Sequence, residues 1–194
     1  MARSTPPAKE WFKTGGLACI RFPVHSEYKV LDQLLTVLNE NAIALVHSKQ
    51  LRNKKQGNVL QIDATGHALT PHTALRQRIG EVGNSEALEN PSDTQAILSE
   101  LRRLKKSNPK TNWWIWWSPS DMLTQNIGEG EIVRCLRAIA KDFSDVSFLA
   151  LVPRCVHTQQ GLALLDYVSE IVIDFDEEWS ILKHPSMEKM KIEA

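Results

Sequence analysis

Side chains suited to metal binding follow the predicted strand 59–63. Asp63 ends this strand, and His67 and His72 lie beyond it; carboxylate and imidazole groups are common zinc ligands. The two histidines are five positions apart, however, and Pro71 prevents a helix that would bring them onto one face. We therefore predict no metal site from these residues.

A nucleophile and a base occur together after a second predicted strand. Cys155 and His157 follow a strand that ends at Pro153. Neighbours on one loop do not form an oriented nucleophile–base pair, and the chain contains no G-x-S-x-G turn. The sequence therefore predicts no catalytic residue and no cofactor.

Polar side chains also lie where several predicted strands end. Open α/β sheets bind ligands at the carboxyl ends of their strands. The residues at these ends that could hold a small ligand or a nucleotide are Asp63, Ser118, Asp121 and Arg154. A ligand-binding edge is therefore one hypothesis for the function.

Four tryptophans stand within the five residues 113–117. They could stack bases or form a protein interface. Successive strand residues face opposite sides, so a central strand with helices on both faces would bury the whole set. We favour this core interpretation over a surface platform for Trp113, Trp114, Trp116 and Trp117.

A basic cluster lies on the polar side of a predicted helix. It could contact nucleic acid, but Lys and Arg together number 23, the same as Asp and Glu, so the chain carries no formal net charge. A solvated helix face is therefore favoured over a nucleic-acid site for Arg102, Arg103, Lys105 and Lys106.

The order of predicted elements indicates how these residues are positioned. Strands at 17–22, 42–46, 59–63, 113–117, 146–152 and 171–175 alternate with helices that begin near residues 26, 92, 129 and 158. Several strands are apolar throughout, which is typical of parallel strands covered on both faces. We predict a three-layer α/β fold with a mostly parallel central sheet and helices on both faces.

Local signals set the expected ends of these elements. Ser26 is a predicted N-cap, and Ser92 with Gln95 has the pattern of a capping box. Residues 66–91 are rich in glycine and proline and predict a long loop, with a helical turn near 73–79. We expect a flexible segment at 1–14, one domain at 15–176, and a tail at 177–194 that docks through Trp179, Ile181 and Leu182.

Length and composition are those of an ordinary globular domain. With 194 residues, 42% hydrophobic and 24% charged, the chain can bury a core without disulfide or metal support. Its three cysteines form neither a CxxC pair nor a disulfide framework, and no segment has the length of an apolar membrane span. We expect a cytoplasmic protein without membrane contact.

The second half of the chain resembles a known family. The run of tryptophans ends in Ser-Pro-Ser-Asp at 118–121, a helix and an apolar strand follow, and residues 164–174 read LLDYVSEIVID. This order and the phrase QIDATG at 61–66 resemble RecA-fold ATPases of the KaiC and archaeal recombinase-paralogue type. The resemblance covers residues 16–176 and implies a RecA-like fold.

The resemblance also implies a phosphate loop, G-x-x-x-x-G-K-[ST], between the first strand and the first helix. The corresponding residues here are PVHSEYKV at 23–30, so only the lysine is kept. Proline at the first glycine position lacks the backbone N–H that the loop uses. Tyrosine at the second glycine position places a ring where the backbone must approach the phosphates, and valine has no hydroxyl to bind magnesium. The degenerate positions are Pro23, His25, Tyr28, Lys29 and Val30.

A second ATPase feature is also missing. The resemblance implies a metal-positioning carboxylate at the end of strand 113–117, but Trp117 and Ser118 stand there and Asp121 lies beyond Pro119. We therefore expect a pseudo-ATPase that acts as a regulatory or assembly subunit through a protein partner or self-association. A ligand sensor or enzyme at the sheet edge, and a DNA-repair accessory protein, are the alternatives.

Overall fold

A computed structural model describes residues 9–12, 15–38, 41–47, 59–64, 85–88 and 93–183. Eight strands lie in this part of the chain: β1 Gly16–Phe22, β2 Ile43–His47, β3 Val59–Asp63, β4 Ser85–Ala87, β5 Trp113–Trp117, β6 Ser147–Pro153, β7 Ile171–Asp176 and β8 Glu178–Lys183. The α-helices described are α1 Glu27–Val37, α2 Thr94–Ser107, α3 Glu129–Asp142 and α4 Gln159–Val168. Short 3-10 helices occupy Lys9–Phe12, Val24–Ser26, Pro119–Gln125 and Arg154–Val156.

The eight strands form one sheet in the order β4-β3-β2-β5-β6-β1-β7-β8. All neighbouring pairs are parallel except β7 and β8, which are antiparallel. Strand β1 lies between β6 and β7, with Phe22 beside Pro153 and Arg21 beside Asp174. The carboxyl ends of β1, β5, β6 and β7 therefore meet at one edge, as the predicted mostly parallel α/β sheet requires.

Two apolar clusters cover the two faces of the sheet. Helix α1 packs on one face through Val30, Leu31 and Leu34, together with Phe12 from the first 3-10 helix. Helices α2, α3 and α4 pack on the other face through stripes that include Leu101, Leu136 and Leu165. This arrangement confirms the three-layer prediction, and it explains why β5 and β6 are buried along their whole length.

The tryptophans of β5 divide between these two clusters. Trp114 and Trp116 face helices α2 to α4, whereas Trp113 and Trp117 face α1. All four are at most 5% exposed. They therefore form neither a surface platform nor an interface in this structure, because β5 is a central strand with helices over both faces.

Of the two helices with a predicted N-cap, α2 has a side-chain capping hydrogen bond and α1 has none. The Asp93 carboxylate accepts hydrogen bonds from the backbone N–H groups of Gln95 (2.8 Å) and Ala96 (3.3 Å), so it caps α2. The predicted cap, Ser92, lies outside the described residues. Ser26 does stand at the N-cap of α1, but its side chain makes no capping hydrogen bond.

Two segments predicted without regular structure contribute strands. Ser85–Ala87, within the predicted loop 66–91, pairs with β3, while the suggested turn near 73–79 lies outside the described residues. Glu178–Lys183, placed in the tail, forms β8 beside β7. Trp179 and Ile181 pack against the α1-side cluster, whereas Leu182 is half exposed because side chains alternate between the two faces of β8. In the described part of the chain, no helix is long and apolar enough to cross a membrane.

Candidate functional site

The connection from β1 to α1 is a closed turn. Pro23 follows β1 in extended conformation, and a 3-10 turn begins at once. The Ser26 N–H donates to the Pro23 carbonyl (2.8 Å), and the Glu27 N–H donates to the Val24 carbonyl. Backbone amides that a phosphate loop would point at its ligand are therefore used inside the turn.

The side chains of this connection pack on the protein or point to solvent. The Tyr28 ring meets Trp117 edge to face, with centroids 5.1 Å apart. Val30 is fully buried in the α1-side cluster. The Lys29 ammonium lies 5.0 Å from the centroid of the Phe175 ring, and His25 is exposed. The first turn of α1 thus binds its own sheet through aromatic and apolar contacts.

The end of β5 turns sharply and is held by a hydrogen bond between neighbouring side chains. Ser118 is buried and adopts a left-handed conformation, φ 62° and ψ 70°, which is uncommon outside glycine. Its hydroxyl donates to Asp121 Oδ1 at 3.0 Å. The structure therefore brings together the two residues predicted at this strand end, and it directs the Asp121 carboxylate back onto the turn.

A chain of hydrogen bonds joins the ends of β5 and β6 to the start of α3. Ser120 Oγ lies 2.7 Å from His157 Nε2, and His157 Nδ1 lies 3.2 Å from Glu129 Oε1. An ionised Glu129 accepts a hydrogen bond from Nδ1–H, which leaves Nε2 to accept a hydrogen bond from the Ser120 hydroxyl. The order hydroxyl, imidazole, carboxylate is that of a nucleophile relay.

Burial and hydrogen bonds determine the charge state of this relay. Two bonds from Thr158, its hydroxyl (2.6 Å) and its N–H (2.7 Å), hold the carboxylate of Glu129 and lower its pKa. Burial lowers the pKa of His157, against an opposing effect from Glu129. The relay therefore consists of a carboxylate and a neutral imidazole at neutral pH.

Gly161 provides the space for this carboxylate. Its N–H donates to Thr158 Oγ1 at 3.0 Å in the first turn of α4. A Cβ atom at position 161 would lie 2.6 Å from the Glu129 carboxyl carbon. The Glu129 carboxylate can therefore occupy this position because residue 161 has no Cβ atom.

A partly buried ionic network lies beside the relay, on the same face of the sheet. Arg21 on β1 pairs with Asp166 of α4 (3.0 Å) and with Asp174 of β7 (3.5 Å). Arg154 pairs with Asp174 (2.9 Å) and Asp176 (3.4 Å). Burial raises the pKa of Asp166, an effect that Arg21 opposes. Arg154, predicted as a ligand-edge residue, thus balances carboxylates of its own chain.

The remaining candidate residues lie elsewhere. Asp63 ends β3, which is separated from β5 by β2, so it does not join Ser118 and Arg154. His67 and His72 lie outside the described residues. Within the described ranges, no group of three or more histidine, cysteine or acidic residues could hold a metal ion.

Most of the basic cluster on α2 is neutralised by neighbouring acids. Arg102 makes two hydrogen bonds to Asp142, and Arg103 binds Glu100. Lys105 pairs with Asp145 and with the backbone carbonyl of Asp142. Lys106 is exposed. These pairings reduce the positive potential that a nucleic-acid site needs.

Sequence reasoning did not find the relay or the ionic network. Ser120, Glu129 and His157 are far apart in the chain, and no spacing connects them. Arg21 and Asp174 did carry a usable signal, because each interrupts an otherwise apolar strand. A charged residue at a buried strand position needs a partner of opposite charge.

Comparisons with known proteins establish the fold. No protein-family model and no curated protein matches the sequence. The chain is similar to the flagellar accessory protein FlaH from Methanocaldococcus jannaschii, at 10% identity and a TM-score of 0.50, over 89% of this chain and 80% of that one. It is also similar to the KaiC-like protein PH0186 from Pyrococcus horikoshii OT3, at 12% identity and 0.54, over 95% and 88%.

A third solved structure is the uncharacterized protein PH0321 from Pyrococcus horikoshii, in complex with an unknown peptide. It is 12% identical, with a TM-score of 0.60, over 90% of this chain and 86% of that chain. These similarities confirm the RecA/KaiC-like α/β fold that the residues predicted. At 10–12% identity they establish the fold and nothing further.

Proposed function

We propose that this RecA/KaiC-like domain does not hydrolyse ATP and acts as a regulatory or assembly subunit through protein contacts. The observation that carries the proposal is the closed β1–α1 connection, in which Tyr28 packs against Trp117 (5.1 Å). A nucleotide in the usual place would need open backbone amides at this turn. Here the Ser26 and Glu27 amides bond to carbonyls of the same turn.

The end of β5 supports the same conclusion. Trp117 is 1% exposed, and Ser118 places its hydroxyl on Asp121. Val30, at the position of the magnesium-binding hydroxyl, is buried among leucines. Opening this region for magnesium and phosphates would break an aromatic contact and expose core residues, which costs free energy without a compensating ligand.

The surface of this chain favours binding to another protein over binding to DNA. The basic residues of α2 are mostly paired with acids, which weakens the DNA-repair alternative. The structure of PH0321 contains a bound peptide, so one protein of this fold holds a polypeptide segment. Contact with protein is the role that the surfaces of this chain support best.

The test is nucleotide binding by the intact chain. We expect isothermal calorimetry with ATP or ADP and magnesium to give no saturable heat, and the thermal midpoint to stay unchanged. A ligand at a hundred times its Kd would add about 2.7 kcal/mol of stability, which a melting curve resolves. A saturable shift that disappears in Lys29→Ala, the matched control, would overturn the proposal.

The Ser120–His157–Glu129 relay favours a second candidate, an enzyme at the sheet edge. Its geometry suits a serine nucleophile, since the hydroxyl lies 2.7 Å from the imidazole. Against it, the His157 side chain is only 1% exposed, and the Asp121 N–H, the natural oxyanion donor, bonds to the Ser118 carbonyl. Labelling by a fluorophosphonate probe that is lost in Ser120→Ala would support this candidate; no labelling leaves the subunit role.

A further inference from the structure

Exposed apolar side chains and unpaired cations meet on the outer surface of two helices. The cations are Arg134, Arg137 and Lys141 on α3, and the apolar side chains are Leu164 and Tyr167 on α4. We call these five residues the basic–apolar face. Tyr167 is 77% exposed and Leu164 40%. Exposed apolar side chains that are rimmed by polar residues mark an interaction surface.

The three cations share the outer face of α3. They stand at i, i+3 and i+7, opposite the buried side of the helix, which contains Ile132, Leu136 and Ile139. Side chains at these spacings are neighbours, with about 5–6 Å between their Cβ atoms. The outer face of α3 therefore carries a continuous row of positive charge.

Helix α4 lies beside α3 and runs in the same direction. Both helices connect parallel strands, and their starts are in contact, because the Thr158 hydroxyl at the cap of α4 donates to the Glu129 carboxylate at the start of α3. Arg137 stands eight residues after Glu129, and Tyr167 nine residues after Thr158. Since both helices rise equally per residue, Tyr167 lies level with Arg137.

Leu164 lies at the groove between the two helices. It stands one turn after Gly161, the residue against which the Glu129 carboxylate lies, so it is on the flank of α4 that faces α3. Val168, about one turn further on, packs partly buried against the cluster beneath these helices. The groove therefore has an apolar strip on the α4 side and cations on the α3 side.

The acids of α3 have other partners. Glu129 is held by α4, and Glu131 accepts a hydrogen bond from Thr94. Asp142 binds Arg102. In the part of the chain that the structure describes, no ion pair includes any of the three cations. The basic–apolar face therefore carries uncompensated positive charge in a protein whose formal net charge is zero.

The side chains of this face favour a carboxylate-bearing protein as its partner. The planar guanidinium of arginine binds a carboxylate through two hydrogen bonds, and tyrosine and arginine are enriched among the residues that carry binding energy in protein interfaces. A nucleic-acid site needs several phosphate contacts, and the basic cluster of α2 is mostly bound to acids. A groove between two helices with an apolar strip is also the kind of surface that receives an amphipathic helix.

We propose that the basic–apolar face binds an acidic amphipathic helix of a partner protein. Apolar side chains of that helix lie on Leu164 and Tyr167, and its carboxylates pair with the three cations of α3. The inference rests on the proposed function and names the kind of partner that the subunit holds. The face lies on the opposite side of the sheet from α1, so partner binding and nucleotide binding can be measured independently.

The probe is a fluorescein-labelled synthetic peptide that forms a helix with leucines on one face and glutamates on the other. We expect saturable binding to the full chain in fluorescence polarisation, weakened in about 1 M salt, where the Debye length is about 3 Å. Arg134→Glu with Arg137→Glu should raise the Kd by about tenfold or more, because repulsion replaces attraction. Leu164→Ser with Tyr167→Ser should raise it by about tenfold, because the apolar contact is lost.

The matched control is Lys106→Glu with Lys110→Glu, which reverses two exposed cations outside the face and should bind the peptide like the wild type. A peptide of the same composition in scrambled order should bind more weakly, because its leucines no longer share one face. Vesicles of phosphatidylcholine and phosphatidylserine, and a single-stranded thymidine oligonucleotide, present other anionic surfaces and should not displace the peptide. Circular dichroism checks that every variant is folded.

A photocrosslinking benzophenone on the leucine face of the peptide locates the contact. Mass spectrometry should find the crosslink on α3 or α4. Absence of saturable binding, equal binding of the scrambled peptide, equal weakening in the control variant, a crosslink elsewhere, or displacement by vesicles or oligonucleotide would each overturn the inference. Any of these results in a chain that binds no ATP leaves the proposed function standing. Saturable ATP binding in a chain that binds the peptide at this face would instead overturn the proposed function alone.

Discussion

The ring of Tyr28 packs edge to face against Trp117, with centroids 5.1 Å apart, and joins the first turn of α1 to the end of β5. In a RecA-like fold with a working phosphate loop, the space between these two elements belongs to the nucleotide. In this protein, two aromatic rings of the chain itself are in contact there. This contact supports the proposal that the domain does not hydrolyse ATP.

Removing this ring should destabilise the fold without creating a nucleotide site. Tyr28→Ala should lower the free energy of unfolding by about 1–3 kcal/mol, because it loses an aromatic pair and part of its buried area. Urea unfolding measures the loss. Tyr28→Phe keeps the ring contact and should lose less. Equal stability of Tyr28→Ala and the wild type would show that the contact does not hold α1.

The partly buried Arg21 should contribute more to stability than an exposed arginine does. Arg21→Met leaves Asp166 and Asp174 without their shared cation, and one oxygen of each carboxylate is already buried without a hydrogen bond. We expect a loss of about 1–3 kcal/mol, since Asp166 loses its ion pair with Arg21 and Asp174 keeps only Arg154. Arg102→Met removes an exposed pair with Asp142 and should cost about 0–1 kcal/mol. Chemical unfolding of both variants compares them, and losses of equal size would contradict the assignment.

Stability should depend on pH through His157. Burial lowers the pKa of this imidazole in the folded chain, so below the ordinary histidine value of about 6.5 the unfolded chain binds more protons than the folded one. The free energy of unfolding should therefore fall as the pH drops from neutrality through that value. The pKa of Glu129 is also lowered in the folded chain, so protonation of this carboxylate reduces stability at a lower pH than protonation of His157 does. Unfolding curves at several pH values measure the effect.

The matched variant for this prediction is His157→Gln, which keeps polar contacts but has no proton to gain near neutral pH. It should be less stable than the wild type at neutral pH, because Ser120 and Glu129 lose a partner, and its stability should change less between neutral and mildly acid pH. An identical pH dependence in both proteins would contradict the assigned charge state.

The three cysteines should differ sharply in reactivity. Burial raises the pKa of Cys19 and of Cys135 to about 12 in each case, whereas Cys155 is exposed. A thiol reagent should therefore modify one cysteine rapidly in the native protein and all three in denaturant. Mass spectrometry identifies the site, and Cys155→Ser should abolish the rapid phase. Rapid labelling of Cys19 would mean that β1 is less protected than the structure indicates.

Much of the fold was readable from the residues alone. The apolar runs at 113–117 and 146–152 predicted buried parallel strands, and the structure places both in the centre of the sheet. The same reasoning predicted the core position of the tryptophans. The short strand β4 and the closing strand β8 were not predicted, since three residues give little periodicity and β8 mixes polar and apolar side chains.

The sequence by itself determined the α/β class, the family resemblance and the loss of the phosphate-loop pattern, because each depends on neighbouring residues or on regular spacing. Only the tertiary structure brought Ser120 to His157 and Glu129, and Arg21 to Asp166 and Asp174. The physical reason is that hydrogen bonds and ion pairs act over a few ångströms, so partners far apart in the chain become visible only when the strands are placed side by side.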